Sequence, residues 1–169
     1  VVHMLAEAAA AAPMRDAVAI GGERLNYAEY ARCAAGLAAE LKALGLAGER
    51  VAFVLGNSLD ICVAYFGVHA AGCQAVPLNP LYTSRELEEM LGDAEPALVL
   101  YEPGVAANVE PVAERLGIAR RWKIGPGARR LFEWRAALGL EAALPLPDPD
   151  SLAFTRKPRQ SWQVFRGRY

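Results

Sequence analysis

Imidazoles and thiols are scarce in this chain of 169 residues: two histidines, His3 and His69, and three cysteines, Cys33, Cys62 and Cys73. None of them pairs at the spacing of a metal knuckle, and a zinc site needs three or four such ligands converging. The cysteines are odd in number, lack a CxxC pair and sit among small apolar residues, so buried reduced thiols in a cytoplasmic setting are expected. His69 has no serine or cysteine arranged with it as a nucleophile, and a structural role is expected. Phosphate chemistry has one candidate, Gly56-Asn57-Ser58, which stands where a strand runs into a helix. Unpaired N–H groups and the helix dipole favour anions at such a junction. Asn and Ser are equally ordinary turn and cap residues, and that plainer role is the expected one. Neither a dinucleotide fingerprint nor a G-x-x-x-x-G-K-[ST] loop is present; Gly21-Gly22 and Gly125-Pro126-Gly127 have the wrong spacing. Glu88 and Glu89 are adjacent on a helix and diverge, so they and Asp93 and Glu95 read as solvated charge.

Charge is uneven along the chain. Arg156, Lys157, Arg159, Arg166 and Arg168 place five positive charges and no negative ones in the last fourteen residues, so residues 1–155 hold 13 basic and 19 acidic side chains. The body is acidic and the tail basic, a break that often marks a separate segment. Trp162, Phe165 and Tyr169 among the tail arginines superficially resemble a single-strand binder. With no folded frame around them, no nucleic-acid partner is expected. Trp122 and Trp134 read as core or partner-facing residues. The most apolar stretch, 61–78, is interrupted by His69, Gly72, Gln74 and Pro77, so a membrane span of about 20 apolar residues is not expected. A secretory leader is not expected either, because Val1-Val2-His3-Met4 lacks a basic region and the alanine run carries Glu7.

The elements that must position these residues are legible as periodic segments. Residues 4–12 have high helix propensity and stop at Pro13. Residues 17–20 and 23–25 flank Gly21-Gly22, a hairpin turn. Asn26 and Glu29 form a capping box, and Tyr30, Ala34, Leu37, Leu41 and Leu44 then lie on one helical face that ends at Gly45. Strands are expected near 50–55, 74–78, 97–101 and 121–124. Between them a helix capped by Ser58 presents Ile61, Ala64, Tyr65 and Val68, and a second, opened by the Thr83–Glu86 box, buries Leu87, Met90 and Leu91. A third ends at Gly117 with Pro111 near its first turn. Short apolar strands alternating with helices predict an α/β fold, a mainly parallel, doubly wound sheet with helices on both faces. Pro145, Pro147 and Pro149 suit an extended linker, after which Ser151–Phe154 begins one more strand.

The order of phrases resembles the acyl-CoA synthetase branch of the adenylate-forming family. Gly22-Glu-Arg-Leu-Asn-Tyr-Ala-Glu29 is similar to that family's opening hairpin and helix, and Gly48-Glu-Arg-Val-Ala-Phe-Val-Leu-Gly-Asn-Ser58 to its Gly-Asp-Arg-Val-Ala strand and Pro-Asn-Ser turn. Ala64-Tyr-Phe-Gly-Val-His-Ala-Ala-Gly72, Ala75-Val-Pro-Leu-Asn-Pro80 and Thr83-Ser-Arg-Glu-Leu87 are similar to the segments that follow. Asn79 in Pro-Leu-Asn-Pro resembles the fatty-acyl and aryl CoA ligases, whereas amino-acid adenylation modules more often show Asp there.

The resemblance implies that residues 1–150 are a partial N-terminal α/β domain of an AMP-binding enzyme, an incomplete adenylate-forming fold, and that 151–169 are a disordered basic tail outside the family pattern. It implies ATP, Mg²⁺, CoA and a carboxylic acid as ligands of the full-length relative. The family's phosphate loop, T-S-G-T-T-G-x-P-K-G, has no counterpart after Ser151-Leu-Ala-Phe-Thr155, where Arg156-Lys157-Pro158 follows. The catalytic lysine has none either. No catalytic residue is therefore assigned, and this chain is expected to be inactive alone and to bind none of these cofactors. In some relatives an arginine beside the Asn-Pro phrase reaches CoA phosphates; here Leu81 stands there and Arg85 is the nearest cation, so Arg85 takes that role by resemblance. Two other readings remain: a catalytically silent interaction module of the same fold, self-associating through exposed apolar surface, and an independent nucleotide-binding domain.

Overall fold

The computed structural model describes residues 1–134 and 144–148. Its frame is a four-stranded sheet of β3 (Arg50–Val54), β4 (Gln74–Leu78), β5 (Leu98–Tyr101) and β6 (Arg121–Lys123). The strands are all parallel and lie in the order β4-β3-β5-β6. A separate antiparallel hairpin, β1 (Asp16–Ile20) and β2 (Glu23–Asn26), turns through Gly21 and Gly22, both at positive φ as a tight primed turn requires. Five helices complete the fold: α1 (Val2–Ala11), α2 (Tyr27–Ala43), α3 (Leu59–Ala70), α4 (Ser84–Ala94) and α5 (Ala106–Arg115).

Strand side chains alternate between two cores, because successive residues of a strand point to opposite faces. Val51, Phe53, Ala75, Leu98 and Leu100 face α1, α2, α3 and the hairpin, while Ala52, Val54, Val76, Val99 and Tyr101 face α4 and α5. The doubly wound reading of the sequence is the observed architecture. The caps agree as well: Asn26 Oδ1 accepts the Glu29 N–H at 2.8 Å and Glu29 returns the bond to the Asn26 N–H, with the same reciprocal pair at Thr83 and Glu86.

Four local expectations need correction. α3 is buried almost all round: Leu59, Asp60, Val63, Gly67, His69 and Ala70 are buried, while Ile61 and Tyr65 are only half-buried. The reason is that the sheet, α2 and the hairpin enclose it from several sides. Met90 is 37% exposed, and α4 instead buries Leu87, Leu91 and Ala94. Pro111 sits in the middle of α5, not its first turn. It is tolerated there because Ala107, whose carbonyl loses a helical donor, is exposed to water. Cys33 and Cys73 are buried thiols, but Cys62 is half-buried. The strand expected at 151–154 and the tail 151–169 lie outside the described residues.

Candidate functional site

A doubly wound sheet takes its ligands beyond the carboxyl ends of its strands, where the winding reverses direction. Here the chain steps from β3 to β4 on one side and then to β5 on the other, so the reversal lies between β3 and β5. Gly56 follows β3 and Glu102 follows β5, and the two loops meet: the Gly56 N–H donates to Glu102 Oε2 at 2.9 Å. A Cβ at position 56 would stand 3.1 Å from the same oxygen, so the carboxylate lies close against the backbone. The donor that a ligand anion would use is already occupied by the protein's own anion.

The start of α3 is satisfied in the same way. Ser58 Oγ accepts the Ile61 N–H at 3.3 Å, the capping role read from the sequence. Asp60, in the first turn, is 1% exposed and adds a second carboxylate beside the positive end of the helix. Its oxygens accept from the Leu131 N–H at 2.5 Å and Arg130 Nε at 2.8 Å. Burial pushes its carboxyl above the usual carboxylate range, with the Leu131 N–H and the Arg130 guanidinium pulling back. Two carboxylates at this edge repel a triphosphate. Among the described residues, no group of three or more His, Cys, Asp or Glu is placed to hold a metal ion. The residues at the reversal point do not fit a Mg²⁺-triphosphate.

Flanking side chains at the same edge are ordered among themselves. The Tyr101 hydroxyl donates to Glu110 Oε1 at 2.7 Å, Lys123 Nζ reaches the same oxygen at 2.8 Å, and burial lifts the phenol to about 12. Asn79 Oδ1 accepts the Leu81 N–H at 2.9 Å, which holds the Leu81 side chain out at 86% exposure. Arg85, in the first turn of α4, has an 89% exposed side chain with Glu89 3.7 Å away. An ion pair that open fixes little. A cavity of about 470 Å³ lies at the opposite pole, lined by Leu91, Glu95, Ala97, Leu116 and Arg120 before the amino ends of β5 and β6. It is not part of this site.

His69 belongs to the core. It is 3% exposed near the end of α3, and burial pushes its imidazole down from 6.5 to about 4, with the backbone at Cys73 working against the shift. The neutral ring is therefore the folded form at pH 7. Since the folded value lies below the unfolded one, the stability tied to His69 is complete above about 6.5 and is lost as pH falls toward 4. We expect His69→Gln to flatten this acid limb, which amounts to roughly 3 kcal/mol. Urea midpoints at pH 7 and pH 4.5 for both proteins check it; equal acid sensitivity contradicts it.

Sequence reading found Gly56, Ser58 and His69, but missed Glu102 and Asp60. Asp60 reads as an ordinary first-turn acid, and its partners Arg130 and Leu131 are 70 residues or more away in the chain. Glu102 precedes Pro103 as an apparent loop acid.

Comparison with known proteins supplies the context for this edge. The model of the family described as AMP-binding enzyme matches residues 5–154. A long-chain-fatty-acid–CoA ligase of Bacillus subtilis (strain 168) is 38% identical over 98 residues, covering 57% of this chain and 18% of that protein. The AMB antimetabolite synthetase AmbB of Pseudomonas aeruginosa is 40% identical over 111 residues, 64% of this chain and 9% of that one. Among solved structures, a Mycobacterium tuberculosis fatty acyl CoA synthetase superposes with a TM-score of 0.76 at 26% identity, covering 91% of this chain and 31% of that one. The chain thus spans less than a third of the length of each of these relatives.

Proposed function

This chain belongs to the AMP-binding enzyme family, and from that premise we propose that its 169 residues supply the N-terminal scaffold of an acid–CoA ligase without forming acyl-adenylate themselves. The reaction of the whole enzyme is activation of a carboxylic acid in two steps. A carboxylate oxygen attacks the α-phosphorus of ATP, releasing pyrophosphate, and the CoA thiol then displaces AMP from the acyl carbon. Adenylation is needed because the carboxylate oxygen is a poor leaving group and AMP a good one, and electrostatic stabilisation of the phosphates is what lowers the barrier. Asn79 and the similarity to fatty-acid–CoA ligases favour a fatty or aryl acid and a cytoplasmic setting. Arg85, unencumbered on the first turn of α4, is the proposed contact for a CoA phosphate.

One observation carries the inactivity of the chain alone: Glu102 fills the reversal point, and no glycine-rich loop follows Ser151-Leu-Ala-Phe-Thr155. The domain reading, scaffold over 1–150 and a non-family segment over 151–169, rests on the same break. The experiment is a segment exchange. Residues 1–150 replace the corresponding part of a long-chain-fatty-acid–CoA ligase, and acid-dependent pyrophosphate exchange is measured. Retained exchange supports the proposal; a folded chimera without exchange contradicts it. A self-associating silent module is favoured only at β6. The Gln74 N–H donates to Glu49 O, so Pro77 falls on the free edge of β4 and removes a donor there, whereas no proline guards β6. Concentration-dependent association with no active chimera favours that second reading.

A further inference from the structure

After β6 the chain turns at 125–128 and returns as residues 129–134 over α2 and α3. Little backbone pairing holds this return; beyond the Ile124–Arg129 bridge and the Gly125 N–H to Arg129 O bond, side chains make the attachment. Arg129 forks onto Glu40 of α2 and lies between the rings of Trp122 and Trp134, 5.1 and 4.7 Å from their centroids. Arg130 reaches Asp60 at 2.8 Å and Glu23 at 3.1 Å. Leu131 and Phe132 are buried, and the Phe132 carbonyl accepts from Cys33 Sγ at 3.3 Å.

Asp60 is the centre of the attachment. One of its oxygens holds the Leu131 N–H and the other holds Arg130, so a single carboxylate satisfies both backbone and side chain of the returning segment. The closed arrangement keeps that carboxylate out of water, and opening returns it to water. Such a segment has a route to open without unfolding the sheet, since it contributes little to the ladder. We infer that residues 129–134 form a strap that lifts as one unit, with Asp60 as its catch, and that lifting uncovers Cys33. The inference stands independently of the proposed reaction.

The three thiols make it testable in the full chain. Cys33 lies under the strap, half-buried Cys62 is an accessible reference, and buried Cys73, bonded to Leu46 O, reports global unfolding. Native-state labelling with an aromatic disulfide reagent, resolved by peptide mass, should modify Cys33 faster than Cys73. Asp60→Asn and Phe132→Ala should each accelerate Cys33 by about tenfold or more while leaving Cys73 unchanged. Arg24→Gln, which removes only the exposed pair with Asp16, should change neither. Equal rates at Cys33 and Cys73 in the unaltered protein overturn the strap as an opening unit. If Asp60→Asn fails to fold, the Phe132→Ala ratio decides. Parallel acceleration of both thiols, or no change at Cys33, contradicts the inference.

Discussion

Phe53→Ala is expected to lower folding stability by about 3–5 kcal/mol, the cost of deleting a fully buried aromatic ring from a core that collapses only partly around the gap. Phe53 lies in the middle of β3, next to both neighbouring strands, and is 0% exposed. Its ring meets Tyr65 edge-on at a centroid distance of 5.0 Å, so the mutation also removes an aromatic pair between the sheet and α3. Urea denaturation followed by far-ultraviolet circular dichroism measures the loss. A change below about 1 kcal/mol would mean that α3 does not pack on β3 as described.

Gly67→Ala tests the other face of the same helix, and here two effects oppose each other. Alanine in place of a mid-helix glycine gains up to about 1 kcal/mol in helix propensity. At Gly67, however, the added Cβ would stand 2.7 to 2.9 Å from three atoms of Leu37, which is itself fully buried in α2. Overpacking of this kind costs about 1–3 kcal/mol, so the clash wins and the variant is destabilised. Gly92 is the control. It is exposed on α4, with the nearest atom, Leu116 Cδ2, 3.7 Å from an added Cβ. Gly92→Ala should therefore stabilise by up to about 1 kcal/mol. Opposite signs at the two glycines are the expected result, and stabilisation at both would deny the close approach of α2 and α3.

These glycines show where the sequence is legible and where it is not. Segments whose signals are local came through: the Asn26–Glu29 and Thr83–Glu86 boxes, the Gly21-Gly22 turn, and the apolar runs of β3, β4 and β5. Each is set by residues within a few positions of one another, and local chemistry decides them. The burial of α3 was misread because its periodicity is weak; a helix enclosed on several sides has no polar face to mark its orientation. The strand order β4-β3-β5-β6 depends on crossovers whose side of the sheet no local signal records. The candidate site suffers most from this. Gly56 and Ser58 are visible as a turn and cap, but the carboxylate that occupies the Gly56 N–H comes from the far side of a crossover, 46 residues along. Arg130 and Asp60 meet over 70 residues for the same reason.

That plugged reversal point is also what separates this scaffold from a nucleotide-binding sheet in its own right. Anion sites at such positions depend on free N–H groups and on a helix terminus not already compensated. Glu102 and Asp60 supply both compensations from within. The bond between them and the backbone ties the exits of β3 and β5 together, so the edge is braced by the same contact that closes it to phosphate.

Calorimetric titration of the purified 169-residue chain with ATP and Mg²⁺ tests this most directly. No saturable heat at millimolar nucleotide, from a chain whose circular dichroism shows it folded, is the expected result. Saturable binding with one ATP per chain would contradict it, because the triphosphate would then be gripped by residues already present.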